Sequence, residues 1–156
     1  VTVFRFNLET LLKYRTMIEE KAVLEFSDKI RVLEKEKGIL EDITWQRGAV
    51  MLQFLEKQRG DLRAADVSTF ISYLHELKRK QQEQDAIVRR AAAEAEQKRR
   101  ALVEAMKKRK VMETLKEKKF QAYRSDRRLK EFKEMDEIGI IGHGKKGSRE
   151  EMDYRS

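Results

Sequence analysis

The 156-residue sequence contains no cysteine and no proline. Without cysteine there is no disulfide framework and no thiolate zinc site. Roughly eight prolines would be usual at this length. Proline interrupts helices, so its absence points to long unbroken ones. Apolar residues amount to 40% and only one is tryptophan, too scattered a set for a thick globular core. The longest apolar run, Ala49-Val50-Met51-Leu52, is four residues, far short of the ~20 needed to span a bilayer. No apolar stretch near the start has the length of a secretory signal core, so no signal is expected. A cytoplasmic, helical, non-globular protein follows. A shaped enzyme pocket, which needs a core around it, is not expected.

What is abundant is charge, 41% of residues with a net of +8. It is unevenly placed. Residues 1–60 hold 11 Lys/Arg against 10 Asp/Glu, and residues 61–88 hold 4 against 5. Residues 89–133 hold 17 against 7, and residues 134–156 hold 4 against 6. One segment carries the whole excess. A solvated helix face accounts for many such charges singly. The block as a whole would speed encounter with an acidic protein surface, nucleic acid or anionic lipid.

Helical spacing organises most of the chain. Asn7 is a favoured N-cap, with Phe6 and Leu11 at the positions of a hydrophobic staple. A stripe then follows 3- and 4-residue steps through Leu8, Leu12, Ile18, Ala22, Phe26, Ile30, Leu33, Leu40, Ile43, Val50 and Phe54. Arg15, Lys37 and Arg47 interrupt it. A narrow stripe of this kind is the seam of a coiled coil. Arg59-Gly60-Asp61 marks a break, with Gly60 placed to end the first helix and Asp66 or Ser68 to cap the next. The second seam runs Phe70, Leu74, Leu77, Gln81, Gln84, Val88, Ala91, Ala95 and Leu102. It fades over residues 104–110 and returns out of phase at Val111, Leu115, Ala122, Leu129 and Phe132, which reads as a stutter. Gly139, Gly142, Gly144 and Gly147 are expected to end the helix.

The fold expected is therefore all-α: a long antiparallel two-helix coiled coil over residues 1–138, with a disordered glycine-rich tail over 139–156. Helix one is expected over about 8–58, the turn over about 59–67 and helix two over about 68–137. Helices of about 50 and 70 residues extend roughly 75 and 105 Å, and a short connection makes them antiparallel neighbours. The inequality leaves the second helix unpartnered from about Phe120. An apolar stripe left open there points to a protein partner, or to self-association. Near the turn, Trp45, Ala49 and Leu52 flank the seam, and Val67, Phe70, Ile71, Tyr73, Leu74 and Leu77 exceed what one seam requires. Either residues 60–68 fold back as a cap, or this end is a binding surface.

Chemistry by the chain itself finds little support. Gly139-Ile-Ile-Gly-His-Gly144-Lys145-Lys146 approaches the phosphate-binding loop GxxxxGK[ST]. Lys146 lacks the hydroxyl that would meet Mg²⁺, and no strand precedes the loop. His75 and His143 are the only histidines and form no metal-ligand spacing. No spacing suggests a catalytic triad, and a two-helix hairpin offers no oxyanion hole. No catalytic residue, cofactor or metal is expected. Nucleic acid is the alternative partner: the basic clusters could neutralise phosphates, but they lack regularly placed aromatics and any recognition module. The alternative is thus a basic coiled-coil arm binding nucleic acid non-specifically, with steep salt dependence.

The opening Phe4-Arg5-Phe6-Asn7-Leu8-Glu9-Thr10-Leu11-Leu12-Lys13-Tyr14-Arg15 resembles the start of the FliJ family of flagellar type III export proteins. Phe70-Ile71-x-x-Leu74 just past the turn, the basic stretch Lys107–Lys119 containing Leu115-Lys116-Glu117-Lys118, and Lys133-Glu134-Met135-Asp136-Glu137 near the end agree with it. The resemblance covers about residues 4–138. It implies a non-enzymatic stalk-like coiled coil, similar to the central stalk of rotary ATPases. Such a protein binds the hexameric export ATPase (FliI), promotes its ring assembly and activity, and links it to the export gate protein (FlhA), with export chaperones as further partners. It would be cytoplasmic and peripherally associated with the membrane at the flagellar base. On this reading Arg89, Arg90, Arg99, Arg100, Lys107, Lys108, Arg109, Arg127 and Arg128 would face the ATPase. Phe70, Leu74, Leu77 and Gln81 would face the gate.

Overall fold

In a computed structural model, the backbone is described for residues 3–60 and 62–153 and side chains through Gly144. Among the described residues there are two elements, α1 (Glu9–Lys57) and α2 (Ala64–Asp153), joined by a short connection and packed antiparallel. Their seams are stricter than the hydropathy pattern implies. Along α1 the covered positions repeat every seven residues at Leu12, Glu19, Phe26, Leu33, Leu40, Arg47 and Phe54. Arg15, Ala22, Lys29, Glu36, Ile43 and Val50 interleave with them. Lys37 is therefore not an interruption: it lies outside the seam and pairs with Glu34 at 3.4 Å. Glu36 holds the seam site.

Along α2 one register runs Leu77, Gln84, Ala91, Lys98, Ala105 and Met112, and the other Leu74, Gln81, Val88, Ala95, Leu102, Arg109, Lys116 and Tyr123. No stutter occurs. The out-of-phase set is a second stripe, each member one residue before a seam position and so about 100° round the helix. Val111 is 66% exposed. Basic residues hold several seam sites because their long stems can be covered while their heads reach water or an acid.

Contacts divide the chain into two compact units, Tyr14–Lys108 and Val1–Lys13 with Arg109–Ser156. In the first unit Leu33 packs with Ala91 and Ala95, with Val88 beside them. The small alanines admit the bulkier leucine without a gap. Leu77 is the most deeply buried side chain, 2% exposed. Polar seam sites are matched. Gln84 is 8% exposed and its Nε2 donates to the Glu36 carbonyl at 3.0 Å and to Glu36 Oε2 at 2.6 Å. Arg47 donates to Gln81 Oε1 at 2.8 Å, and Gln81 Nε2 donates to Thr44 Oγ1 at 3.1 Å. Lys29 pairs with Glu94 at 2.6 Å and Lys98 with Glu25 at 2.8 Å. A slip of either helix would strand these groups, so they fix the register.

In the second unit, residues 3–6 precede the helix without regular structure. The first helical bond runs from Leu12 N–H to the Leu8 carbonyl at 2.9 Å, so Leu8, not Asn7, stands at the cap. Phe6 is buried with Leu12 and Met112, with Phe4 and Leu115 against them. The local staple is not made: Leu11 is exposed, and Phe6 is buried against Leu12 and Met112 instead. Phe4 meets Phe120 edge-on at 5.2 Å and Tyr123 at 5.6 Å. Lys116 pairs with Glu9 at 2.8 Å. The open stretch of α2 thus begins after Tyr123, three residues later than the expected Phe120.

At the connection, Gly60 N–H bonds to the Lys57 carbonyl at 3.1 Å and Arg59 N–H to Glu56 at 3.3 Å. These tight turns end α1 without a left-handed glycine, since no described glycine has positive φ. Asp61 lies outside the described residues. Helix α2 starts at Ala64, so Asp66 lies in its first turn rather than at the cap, where it faces the helix dipole. Residues 64–68 are helix, not a folded-back cap. At the other end α2 runs past the expected limit near Glu137 to Asp153. Gly139, Gly142 and Gly144 keep helical backbone: glycine lowers helix stability but forces no break unless positive φ is required. The expected tail beyond Gly144 lies outside the described side chains.

Candidate partner-binding surfaces

The basic residues singled out on α2 fall into two groups. In Tyr14–Lys108, Arg89, Arg90, Arg99, Arg100, Lys107 and Lys108 are all exposed. Most are held by acids one turn away. Arg89 pairs with Asp85 at 2.9 Å, and Lys107 with Glu104 at 3.3 Å. Glu96 takes both Arg99 at 2.7 Å and Arg100 at 3.2 Å. The hydrogen bond from Arg99, outweighing desolvation and joined by Arg100, holds the Glu96 carboxyl down at about 2. Lys108 has no ion-pair partner among the described residues. These ladders stiffen the exposed face and still leave a cationic excess.

In the second unit Arg109 differs from its neighbours. It occupies a seam position, its side chain is 19% exposed, and it pairs with Glu113 at 2.6 Å. Arg127 pairs with Glu131 at 2.9 Å, while Arg128 is exposed with no ion-pair partner among the described residues. The sequence pattern alone does not separate Arg109 from Lys108, because the true seam register is masked by the second stripe.

The residues read as gate-facing all lie on the seam. Leu77 is buried, Phe70 and Leu74 are half-buried, and Gln81 is tied to Arg47 and Thr44. Phe70 packs on Phe54 at 5.5 Å and lies under Lys57 Nζ at 5.2 Å. The apolar side chains presented outward near the connection are others: Trp45, 75% exposed, with Leu52, Leu55, Ile71 and Tyr73. Trp45 and Leu52 are seven residues apart and share one face of α1, with Gly48 and its open surroundings between them.

The hollows among the described residues are open to solvent. The hollow lined by Leu40, Thr44, Gln81, Gln82, Asp85 and Arg89 holds about 270 Å³ and is open to solvent. Among the described residues no group of three or more acidic or histidine side chains could hold a metal ion. None of their helices is long and apolar enough to cross a membrane. The glycines of the phosphate-loop-like motif lie in helix α2, and the side chains of Lys145 and Lys146 lie outside the described residues.

A matched two-helix hairpin with charged faces, outward apolar residues and open hollows is a helical scaffold. The chain belongs to the FliJ family: the pattern described as "Flagellar FliJ protein" matches residues 4–148. The match reaches ten residues past the limit set by the sequence resemblance. The family consists of components of the flagellar export apparatus. Among solved structures, a YscO homologue from Chlamydia trachomatis is similar, with 23% identity and a TM-score of 0.66 over 90% of this chain and 96% of that one. That likeness concerns the fold. No curated protein matches the chain.

Proposed function

We propose that this chain is a non-enzymatic partner protein of the flagellar export apparatus that binds the hexameric export ATPase and promotes its assembly and turnover. The observation that supports this most is the exposed cationic run of α2 on a hairpin of the FliJ family. An acidic protein surface is the complement of such a run, and its stiff ion-pair ladders present it without a large ordering cost. Arg99, Arg100, Lys107 and Lys108 carry this contact in one unit, and Arg127 and Arg128 in the other. Arg109 acts through the seam. The likeness to a YscO homologue supports a shared scaffold with type III secretion. We place the protein in the cytoplasm, at the membrane-associated base of the flagellum.

Binding to the export gate protein, and to export chaperones, is assigned to the connection end. There Phe70, Leu74, Leu77 and Gln81 shape the surface from beneath, and Trp45, Leu52 and Tyr73 touch the partner. The test is turnover of the cognate export ATPase as the chain is titrated in at fixed salt, with the oligomeric size followed in parallel. Saturable activation with growth to hexameric rings is expected. The combined charge reversal of Arg99, Arg100, Lys107 and Lys108 should weaken it, and Trp45→Ala with Leu52→Ala should spare it while weakening gate binding. Absence of activation and of co-migration would overturn the reading. A salt titration with duplex DNA then tests phosphate binding, whose affinity would fall log-linearly.

A further inference from the structure

We propose that the stretch of α2 beyond Tyr123 docks antiparallel on the same stretch of a second copy of this chain. The seam register ends abruptly there. Its next positions are Asp126, Lys130, Lys133 and Glu137, which no α1 residue covers. The second stripe continues instead, through Ala122, Ser125, Leu129 and Phe132, and all four are exposed. Phe132 is 65% exposed.

The charges around this stripe name its occupant. Residues 124–130 carry four cations and one anion, and residues 131–137 carry four anions and one cation. Each copy therefore offers a basic half followed by an acidic half. Two copies side by side in the same direction set like against like; reversed, they set basic on acidic. The stripe gives the same answer at residue level. With Leu129 and Phe132 as core positions of a heptad, Asp126 and Lys133 flank them on one side and Arg128 on the other. In a parallel pair Arg128 would face the second copy's Lys133, a like-charge contact made twice. In the antiparallel pair centred between residues 130 and 131, Leu129 packs on the second copy's Phe132, and Ser125 falls opposite its Asp136. Asp126 then faces the second copy's Lys133, again twice. Neither Asp126 nor Lys133 has an ion-pair partner among the described residues. The existing Arg127–Glu131 pair lies on the outward face of this arrangement and is undisturbed. The interface is short, with two large apolar residues per copy, so the dimer is weak and a partner with a longer complementary face displaces it. The apolar stripe is thereby covered whenever such a partner is absent.

The absence of cysteine makes the test direct. Sedimentation of the full chain over a range of concentrations should show a monomer–dimer equilibrium. Phe132→Asp should abolish it. Asp126→Lys and Lys133→Asp should each weaken it about tenfold, and the double swap should restore it. Mixing the Ser125→Cys and Asp136→Cys chains should give a rapid disulfide-linked pair, and Ser125→Cys alone should not. Monomer at every concentration, a dimer indifferent to Phe132→Asp, no rescue by the double swap, or self-linking of Ser125→Cys would each overturn the inference. So would a stripe that stays open at high concentration of the chain alone and is covered only when the export ATPase is added. ATPase stimulation, measured on the same variants, is a separate readout: a chain that stimulates without dimerising fails this inference alone.

Discussion

Residues 109–123 and 124–144 belong to one helix and meet opposite fates. The first stretch puts Met112, the stem of Lys116 and Tyr123 on the seam, and Phe4, Phe6, Glu9 and Leu12 cover them. The second puts Asp126, Lys130, Lys133 and Glu137 on the same register and is exposed throughout. Both stretches have apolar residues in similar supply. What differs is whether those residues fall where a partner helix can reach them. In the covered stretch a half-buried lysine on the seam is tolerated because Glu9 meets its head. In the open stretch no residue of α1, nor of the segment before it, packs on the helix, and the apolar side chains lie about a quarter-turn from the register that α1 covers further back. How far α1 and the segment before it reach therefore decides where the open stretch begins, and register decides which face of it is apolar.

This comparison can be broken by mutation. The largest effect is expected where the seam is deepest. Leu77→Ala should cost about 2–5 kcal/mol in urea unfolding, whereas Leu129→Ala should stay within about 0.5 kcal/mol for the dilute monomer. Similar losses at both sites would erase the distinction. Next, Gln84→Ala removes two bonds to Glu36 and leaves that carboxylate without its seam partner, at a cost of about 1–3 kcal/mol. Gln84→Leu should recover part of it in stability. Phe4→Ala removes the ring contacts to Phe120 and Tyr123. It should cost about 1 kcal/mol or more and speed amide exchange at residues 116–123, bringing them toward the behaviour of residues 124–144.

Acid should weaken the seam. The carboxyls of Glu25 and Glu94 lie below the usual range, chiefly through hydrogen bonds from Lys98 and Lys29. Groups lowered on folding stabilise fully above their unfolded values, and that contribution is lost as pH falls through the folded ones. Pairing in residues 14–108 should therefore weaken as pH falls through and below the ordinary glutamate range, and Lys98→Met with Lys29→Met should flatten that dependence. The smallest effect concerns the glycines. A methyl group at Gly142 would meet nothing within 4 Å, so Gly142→Ala should favour the helix there by about 1 kcal/mol. Circular dichroism should register more helix, with no change in the main unfolding transition.

The two-helix hairpin was legible from the missing prolines, the narrow stripe and the break at Gly60. The details were legible only where apolar residues mark the seam, as at Leu33, Leu40, Leu74 and Leu77. Ala105 and Met112 are not legible because Lys98 shares their register and Arg109 and Lys116 hold the interleaved one, and hydropathy reads all three as surface. The more apolar line through Val111 and Leu129 reads as the seam's continuation, although both are exposed; of that line Leu115 does pack on the core. A count of strict seven-residue steps from Leu77 would have found the true one. For the same reason Arg109 was grouped with exposed cations and Phe4 was missed as the residue that extends the covered stretch to Tyr123. The partner-facing residues are less legible still, since exposure and charge mark a surface without naming what meets it.

The most direct test is amide hydrogen exchange along the full dilute chain, alone and with the cognate export ATPase. Alone, the seam positions around Leu33, Leu77 and Ala95 should exchange slowly and residues 124–144 quickly. With the ATPase, protection should appear over the cationic run and over residues 124–144, with the connection near Trp45 unchanged. Protection confined to the connection end, or none anywhere on α2, would contradict the account.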